Sequence, residues 1–407
     1  MRWTSQELNQ PLFPEQIAES VGQGTSTSVP GVPLLPLAGL VKSVQTPEFA
    51  GITFHEVLSK SALNKVPPSS TMPFEWTVNP YRGCSHACVY CFARKSHTYL
   101  DFDSGVDFDS QVVVKVNVAE VLRKELFKPS WQRPHVALGT NTDPYQRAEG
   151  RYRLMPGIIE ALADSGTPFS ILTKGTLLAR DIPLLREAGK QVSVGMGISL
   201  ALIDEQLAQA IEPGTPSPKA RLALISKLRD AGLPCGVMAM PILPWLTDSD
   251  EALDSLFAAL SQAGATGVSA GALYLRPGTR EWFMGWLARE HPSLVGRYQR
   301  LYGTGAYASK EYRQWLAERI NEAKARNGFT AQGFIHDPRR EEAQYPDGSM
   351  PAERAHDEAS PAERLVGAGF RGITAGQNVI EQNVAGSRKA GLPVGNPAQS
   401  HLAPTLF

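Results

Sequence analysis

Residues 79–94 read Asn79-Pro-Tyr-Arg-Gly-Cys-Ser-His-Ala-Cys-Val-Tyr-Cys-Phe-Ala-Arg94 and contain three of the four cysteines of the chain, Cys84, Cys88 and Cys91. Three thiolates spaced C-x3-C-x2-C can turn inward around one metal centre, and cysteine thiolates are the ligands of iron–sulfur clusters. Three ligands on a four-iron cube leave one iron open, and an open coordination position is what a metal needs for chemistry. The motif therefore predicts a reactive iron–sulfur site.

Two other interpretations of the motif are weaker. A zinc site would need a fourth ligand such as His86 or His97, and structural zinc sites favour C-x2-C pairs with closed four-ligand shells. A disulfide framework does not suit 4 cysteines in 407 residues, because small disulfide-rich domains carry them far more densely.

The composition is that of an ordinary globular protein, with 42% hydrophobic and 20% charged residues. A length of 407 residues allows one large domain with tails, or two domains. The net charge is +0, so any contacts with a nucleic acid must be local. The first twenty residues lack the apolar core of a signal peptide. Together with clustered thiols, this predicts a cytoplasmic protein without a membrane partner.

Short apolar runs alternate with helical patterns at roughly 30 residues per unit, which is typical of parallel βαβ units. The predicted strands are 74–78, 112–116, 136–139, 169–173, 192–200, 236–240 and 267–275. Six or seven such units form a full or partial barrel, in which loops at the carboxyl ends of the strands carry the working groups. An open doubly wound sheet is the alternative, but no dinucleotide fingerprint follows the first strand.

The chain divides by composition into four parts. Residues 1–45 are rich in Pro, Gly, Ser and Thr and predict a poorly ordered arm. Residues 46–278 contain a lead-in segment and the barrel, and 279–328 predict a helical extension rich in aromatic residues. Residues 329–407 have few large apolar side chains and predict a disordered tail.

The 79–94 string resembles the radical S-adenosylmethionine (SAM) superfamily, and within it the bacterial group similar to spore photoproduct lyase, often labelled DNA repair photolyase-like. The resemblance runs from about Thr46 to Phe329. It implies a partial parallel (βα)6 barrel and a [4Fe-4S] cluster on Cys84, Cys88 and Cys91, with SAM chelating the fourth iron. It also implies an electron donor such as flavodoxin or ferredoxin, cleavage of SAM to methionine and a 5′-deoxyadenosyl radical, and hydrogen abstraction from a substrate.

Four residues are candidates to bind SAM. Tyr90 resembles the aromatic that these enzymes place near adenine, and Ser199 is similar in position to a serine that the lyase group uses. Lys115 lies inside the second predicted strand and Lys174 just past the fourth, where a lysine can meet a carboxylate as a point charge. The family's usual Gly-Gly-Glu after the second strand is absent, and Asn117 occupies that position.

Polar residues after the third predicted strand are the candidates for catalysis on the substrate. Asn141, Asp143 and Tyr145 lie in the string Thr140-Asn-Thr-Asp-Pro-Tyr145. Clustered polar groups before a proline also form simple turns, but their place at the carboxyl end of a strand favours a functional role.

Further residues have open assignments. Glu212 and Arg221 form either a loop ion pair or a contact to the SAM ribose, and Tyr274 and Arg276 are weaker candidates. The resemblance implies a further cysteine as hydrogen donor, yet the spare thiol, Cys235, starts the sixth strand and lies about 15 Å from its active end at about 3.3 Å per residue. Cys235 is therefore predicted to be an apolar core residue.

Two functional hypotheses follow. The first is a radical SAM enzyme of unassigned, lyase-like reaction that abstracts hydrogen from an unidentified substrate. A DNA or other nucleic-acid lesion, a modified RNA, a peptide and a small metabolite are all candidates for that substrate. The second is a metal-stapled binding module without turnover, holding zinc or iron–sulfur and using Arg147, Arg151 and Arg153 as a small basic patch for nucleic acid.

Overall fold

The structure, a computed structural model, describes residues 37–67 and 72–329. Most of the predicted N-terminal arm (to residue 36) and the predicted tail from residue 330 lie outside the described residues. The described strands are β1 (Leu40–Val44), β2 (Thr53–Val57), β3 (Leu63–Lys65), β4 (Trp76–Val78), β5 (Tyr81–Arg82), β6 (Gln111–Lys115), β7 (Val136–Leu138), β8 (Phe169–Thr173), β9 (Val194–Ser199), β10 (Cys235–Ile242) and β11 (Gly267–Ala272).

The described α-helices are α1 (Val106–Ser110), α2 (Val118–Leu126), α3 (Arg147–Tyr152), α4 (Leu154–Asp164), α5 (Ile182–Gln191), α6 (Glu205–Ile211), α7 (Pro218–Asp230), α8 (Asp250–Ala263), α9 (Thr279–Glu290), α10 (Val295–Tyr302) and α11 (Lys310–Arg326). Short 3-10 helices are Pro47–Phe49, Phe92–Leu100, Thr176–Asp181 and Pro292–Leu294. None of the described helices combines the length and the apolar character needed to cross a membrane.

The main sheet has seven strands in the order β3-β4-β7-β8-β9-β10-β11. Its neighbours from β4 to β11 pair in parallel, whereas β3 runs antiparallel to β4. Parallel neighbours need crossover connections, and helices α2, α4, α5, α7 and α8 lie in the five crossovers between successive parallel strands. The six parallel strands confirm the predicted α/β fold with six βα units. In the described part of the chain β3 and β11 are the edges, so the barrel is partial.

One of the predicted barrel strands lies in a different sheet. The apolar run 112–116 was expected to be the second strand of the barrel, but β6 lies in a separate four-stranded sheet of order β1-β2-β6-β5. All of Val112, Val113 and Val114 are buried. Burial on both faces gives the same continuous apolar run in either sheet, so the sequence pattern could not assign β6. The second parallel strand is β7, and the polar string that follows it connects β7 to the helices of the second βα unit.

The segment before the cysteines supplies strands β1 and β2 of this side sheet. Strand β2 pairs in parallel with β6, and β1 adds an antiparallel edge. Asn117 sits at the start of α2 as expected, but its side chain does not cap that helix. It instead accepts a hydrogen bond from the backbone N–H of Ser59 at 2.8 Å. Asn117 therefore ties the lead-in segment to the side sheet.

The main core lies between the seven-stranded sheet and its crossover helices. Fully buried side chains from β8, β9 and β10, such as Ile171, Ile198 and Val237, meet Ile159 and Phe257 from helices α4 and α8. Full burial of one such side chain stabilises the fold by about 1.5–3 kcal/mol. This apolar body holds the carboxyl ends of the parallel strands at one edge, where polar side chains begin.

The chain beyond β11 is helical, as predicted. Phe283 and Trp286 of α9 are buried and pack against Tyr298 and Tyr302 of α10 in a second apolar cluster that also contains Cys88 and Tyr90. The aromatic residues of the extension therefore pack against the cysteine segment. Trp315 of α11 is an exception at 40% exposed.

Candidate active site

The cysteine loop, residues 83–91, follows the short strand β5. Cys84 and Cys88 are buried and Cys91 is half-buried. Gly83 begins the loop at φ +80°, and a Cβ there would lie 2.7 Å from the carbonyl oxygen of Gln111. Burial raises the pKa of the Cys91 thiol to about 11, and the neighbouring Cys84 adds to the shift. Cys91 packs against the apolar cluster that contains Cys84 and against the one that contains Cys88.

Buried groups from distant parts of the chain fix the loop's backbone. The Gln146 side chain, fully buried, accepts from the Ser85 N–H at 2.9 Å and donates to the Gly83 carbonyl at 2.9 Å. Gly214 donates its N–H to the His86 carbonyl at 3.0 Å. A Cβ on Gly214 would come within 1.9 Å of the Ser85 carbonyl oxygen, so the segment after α6 can approach the loop only as glycine.

Arg94 holds the loop from its other side. Its guanidinium is fully buried, and its Nη2 donates to the Cys88 carbonyl at 3.0 Å and lies 2.9 Å from both carboxylate oxygens of Asp109. The same guanidinium lies 4.7 Å from the ring centre of Trp282 in α9. Thr279, at the start of α9, donates its hydroxyl to the Cys91 carbonyl at 3.0 Å. The helical extension therefore contacts this segment through two residues of α9, Trp282 and Thr279.

A buried charged network lies beside Cys88. Lys174 donates its ammonium hydrogens to the Tyr90 hydroxyl at 3.1 Å, the Ser199 hydroxyl at 2.8 Å and the Glu212 carboxylate at 2.9 Å. The Tyr90 hydroxyl also donates to Glu212, and Arg221 pairs with the second oxygen of Glu212 at 2.7 Å. Here the structure brings together three of the four predicted SAM-binding residues.

The network carries an excess of positive charge, because Lys174 and Arg221 face the single carboxylate of Glu212. Burial alone would raise the pKa of Glu212, but Arg221 and Lys174 outweigh burial and hold the pKa well below the usual carboxyl range. Burial raises the pKa of Cys88, and the Glu212 carboxylate raises it further. Ser199 accepts from Lys174, so its own hydroxyl hydrogen is left to donate to a ligand. The arrangement suits a ligand that carries a carboxylate.

Asp143 serves the architecture of the site. One carboxylate oxygen accepts from the Tyr145 N–H at 2.8 Å and from the Thr173 hydroxyl, and the other accepts from the Lys174 N–H at 2.6 Å. His86 lies 3.4 Å away. Burial alone would raise the pKa of Asp143, but His86 and these donors lower it. Asp143 therefore locks the loop after β7 to the end of β8 and to the cysteine loop.

The other predicted catalytic residues differ in placement. Tyr145 is 1% exposed, packs in the main core and donates its hydroxyl to Asp181 at 3.0 Å. The structure therefore gives Tyr145 a buried, structural environment rather than one facing the site. Asn141 is half-buried in the loop after β7, at the carboxyl edge of the sheet. Unlike Asp143 and Tyr145, the Asn141 side chain makes no hydrogen bond within the described part of the chain.

Lys115 is not part of the network. It ends β6 in the side sheet, where burial lowers its pKa to about 8, with Arg82 adding to the shift and Glu125 opposing it. The sequence placed Lys115 near SAM only because β6 was taken for a barrel strand.

Three further sequence candidates pack against neighbouring residues. Cys235 is 1% exposed at the amino end of β10, as expected of a core residue, and burial raises its pKa to about 12. The Tyr274 ring packs against the Tyr307 ring in a tilted arrangement, with 4.9 Å between the ring centres. In the predicted basic patch, the Arg147 guanidinium donates to the Glu48 carbonyl and lies 5.3 Å from the Phe49 ring.

Several residues of the site were not predicted from the sequence. Gln146 and Gly214 act through contacts with the backbone of the cysteine loop, which the spacing of residues along the chain does not predict. Arg94 belongs to the cysteine motif, but the motif alone assigned it no role. The sequence signal for these residues was weak: Gln146 directly follows the polar string after the third predicted strand, and Gly214 ends a Glu-Pro-Gly run. For Glu212 and Arg221 the sequence left two options, a loop ion pair or a contact to the SAM ribose. The ion pair is present in the structure.

The donor set can be tested against a metal group. Within residues 37–67 and 72–329, no group of three or more His, Cys, Asp or Glu side chains converges closely enough to hold a single metal ion. A four-iron cluster needs no such convergence, because each cysteine ligates a different iron. His86 adds a buried ring nitrogen, Nε2, with no hydrogen-bond partner among the described residues. The three thiols thus suit the corners of a cluster better than the shell of one zinc ion.

The comparisons with known proteins agree with this geometry. The family model of the radical SAM superfamily matches residues 78–257. An uncharacterized protein of Mycobacterium tuberculosis is 64% identical over 289 residues, which span 71% of this chain and 85% of the relative. An uncharacterized protein of Methanocaldococcus jannaschii is 27% identical over 193 residues, spanning 47% of this chain and 70% of the relative.

Solved structures show the same fold. Spore photoproduct lyase complexed with dinucleoside spore photoproduct superposes with a TM-score of 0.51 at 14% identity, covering 67% of this chain and 79% of the lyase chain. A variant of that lyase with bound SAM and dinucleoside spore photoproduct gives a TM-score of 0.51 at 14% identity, covering 68% and 82%. The chain described here is therefore a member of the radical SAM superfamily, with the fold of spore photoproduct lyase.

Proposed function

We propose that this protein is a radical SAM enzyme in which Cys84, Cys88 and Cys91 hold a [4Fe-4S] cluster and SAM binds beside it. When bound, the cluster and SAM would supply one-electron cleavage of the sulfonium and a radical able to abstract hydrogen. The observation that carries the proposal is the net-positive Lys174–Glu212–Arg221 network, joined to Tyr90 and Ser199 next to the cysteine loop. The 14% identity to the lyase supports the fold alone.

The roles of the chain's own residues follow from their contacts. The excess positive charge of the network attracts the ligand's carboxylate, and Ser199 is oriented by Lys174 so that its hydroxyl can donate to it. Tyr90 is held by two hydrogen bonds, to Glu212 and from Lys174, so its ring presents a fixed face to adenine. Asn141 is the remaining candidate to contact the substrate, whereas Asp143 and Tyr145 act as positioning residues.

The overall reaction is proposed only at the level of hydrogen abstraction. A nucleic-acid lesion is one candidate substrate, since the lyase structures with this fold contain a dinucleoside photoproduct. Cys235 is buried at the far end of β10 and is not proposed as a hydrogen donor. We further propose that flavodoxin or ferredoxin supplies the electron and that the protein acts in the cytoplasm.

The test is release of 5′-deoxyadenosine by anaerobically reconstituted protein given dithionite and SAM. Cys88→Ala should abolish that release and lower the iron and sulfide content, because one iron loses its ligand. Cys235→Ala is the matched control, since it removes the spare thiol from the core and should keep both readouts. Wild-type release by Cys88→Ala, or a colourless protein holding one zinc ion, would contradict the proposal and favour the metal-stapled binding module.

A further inference from the structure

A cleft at the carboxyl edge of the main sheet has no residue of the cysteine loop in its lining. It has a volume of about 440 Å³ and is lined by Trp245, Arg297, Arg300, Leu301 and Ser309. Trp245 comes three residues after the end of β10. The carboxyl ends of parallel strands meet at one edge, so the cleft opens on the same edge as Lys174 and Ser199. No role in the proposed SAM site uses these residues.

Trp245 is a large aromatic side chain held out toward solvent. It is 41% exposed and adopts φ +60°, a left-handed conformation that bulky residues rarely take and that tends to mark functional sites. The turn is fixed by its surroundings, because the Trp245 N–H donates to Asp248 at 2.8 Å and Tyr298 donates its hydroxyl to the Pro244 carbonyl at 2.9 Å. Tyr298 also packs edge-on against the Trp245 ring at 5.4 Å.

The cleft is positively charged. Arg297 and Arg300 are exposed on one face of α10, a helix whose sequence VGRYQRLY contains no acidic residue. The Arg297 guanidinium lies 5.8 Å from the Trp245 ring centre. In the part of the chain that the structure describes, neither arginine has a carboxylate within ion-pairing distance. Two unpaired guanidinium groups beside an exposed aromatic face suit a flat, anionic ligand.

We propose that this cleft binds an unpaired nucleotide of a nucleic acid, with the base stacked near Trp245 and the flanking phosphates on Arg297 and Arg300. Base–aromatic stacking combined with arginine–phosphate contact is the chemistry by which proteins hold single strands. A base inside a duplex is already stacked on both faces, so the ligand is a single strand or a locally opened one. The inference makes nucleic acid the substrate class of the proposed SAM enzyme, and in that respect it rests on the proposed function. Binding of the strand can nevertheless be measured without turnover.

The experiment is fluorescence anisotropy of labelled oligonucleotides with the full-length, cluster-containing protein and no reductant. Single strands of DNA and of RNA of about 12 nucleotides are compared with the matching duplex. We expect the single strand to bind at least about tenfold more tightly than the duplex. Trp245→Ala should weaken single-strand binding about tenfold or more, and Trp245→Phe should retain most of it, because the phenyl ring still offers a stacking face.

The arginines have a separate readout. Arg297→Gln and Arg300→Gln should each reduce the slope of log affinity against log salt by about 0.7, the value for one single-strand phosphate contact. Trp315→Ala is the matched control, since Trp315 is 40% exposed and also lies under an arginine, Arg319, at 4.6 Å. It should leave affinity unchanged.

Three results would overturn the inference. These are no oligonucleotide binding, equal loss in Trp245→Ala and Trp315→Ala, or complete displacement of the strand by acidic peptide at the same charge concentration. The last result would mark a general anion site. None of them bears on release of 5′-deoxyadenosine, which remains the separate test of SAM cleavage.

Discussion

Replacing Lys174 with methionine tests the SAM site most directly, because the change removes one charge and leaves the shape similar. Lys174 joins Tyr90, Ser199 and Glu212. After the replacement Glu212 keeps its pairing with Arg221 at 2.7 Å. No buried carboxylate is therefore left without a partner, and the protein should remain folded.

The expected loss follows from the contacts. The network changes from an excess of one positive charge to neutrality, and Ser199 loses the donor that orients its hydroxyl. Hydrogen bonds to charged groups contribute about 1.5–3 kcal/mol, and each 1.4 kcal/mol changes an affinity about tenfold. SAM should therefore bind about 10- to 100-fold more weakly to Lys174→Met.

The assay is anaerobic equilibrium dialysis of labelled SAM against cluster-loaded protein, with iron content measured on the same samples. Lys115→Met is the matched control, since Lys115 is also a buried lysine at the end of a strand, but in the side sheet. It should bind SAM with unchanged affinity. The reasoning is refuted if Lys174→Met retains full affinity at equal iron content, or if both lysine variants lose affinity equally.

Two further predictions concern the loop and the side sheet. Gly214→Ala should lower iron incorporation, because its Cβ would come within 1.9 Å of the Ser85 carbonyl oxygen. Gly189→Ala is the control and should leave iron incorporation unchanged, because its Cβ would meet nothing within 4 Å. Iron and sulfide analysis of both variants distinguishes the two outcomes. Lys115 has its pKa lowered to about 8, below the value of about 10.4 for a free lysine. Between these values the unfolded chain binds more protons than the native one, so the stability of the native protein rises with pH from about 8 to about 10.4. Lys115→Met should remove that rise and increase the free energy of unfolding at pH 7 by up to roughly 3 kcal/mol, as urea unfolding at several pH values will measure. An unchanged pH profile would show that Lys115 is solvated as freely in the native protein as in the unfolded chain.

The sequence predicted the architecture well where a pattern depends on neighbours in the chain. The alternation of apolar runs and helical stretches predicted the βα units that the main sheet contains. The position of β6 was the error. Val112 to Val114 are buried, and a fully buried strand carries no sign of which sheet it joins.

The site was predicted unevenly for the same reason. Tyr90, Lys174 and Ser199 each stand at a recognisable point of the pattern, in the cysteine motif or at the end of a barrel strand, and the structure brings them together. Lys115 had the same local appearance but followed β6 into the side sheet. Asp143 and Tyr145 occupy the expected edge, yet their hydrogen bonds are directed into the architecture.

By itself the sequence determined the three-thiol motif, the order of the parallel strands of the main sheet with their helices, and the residues at those strand ends, because these depend on spacing along the chain. Only the tertiary structure decided that Glu212 and Arg221 meet Lys174, that Gln146 and Gly214 hold the cysteine loop, and that Trp245 faces two arginines across a cleft. These contacts join residues far apart in sequence. Their geometry is set by how helices and sheets pack, which no local pattern encodes.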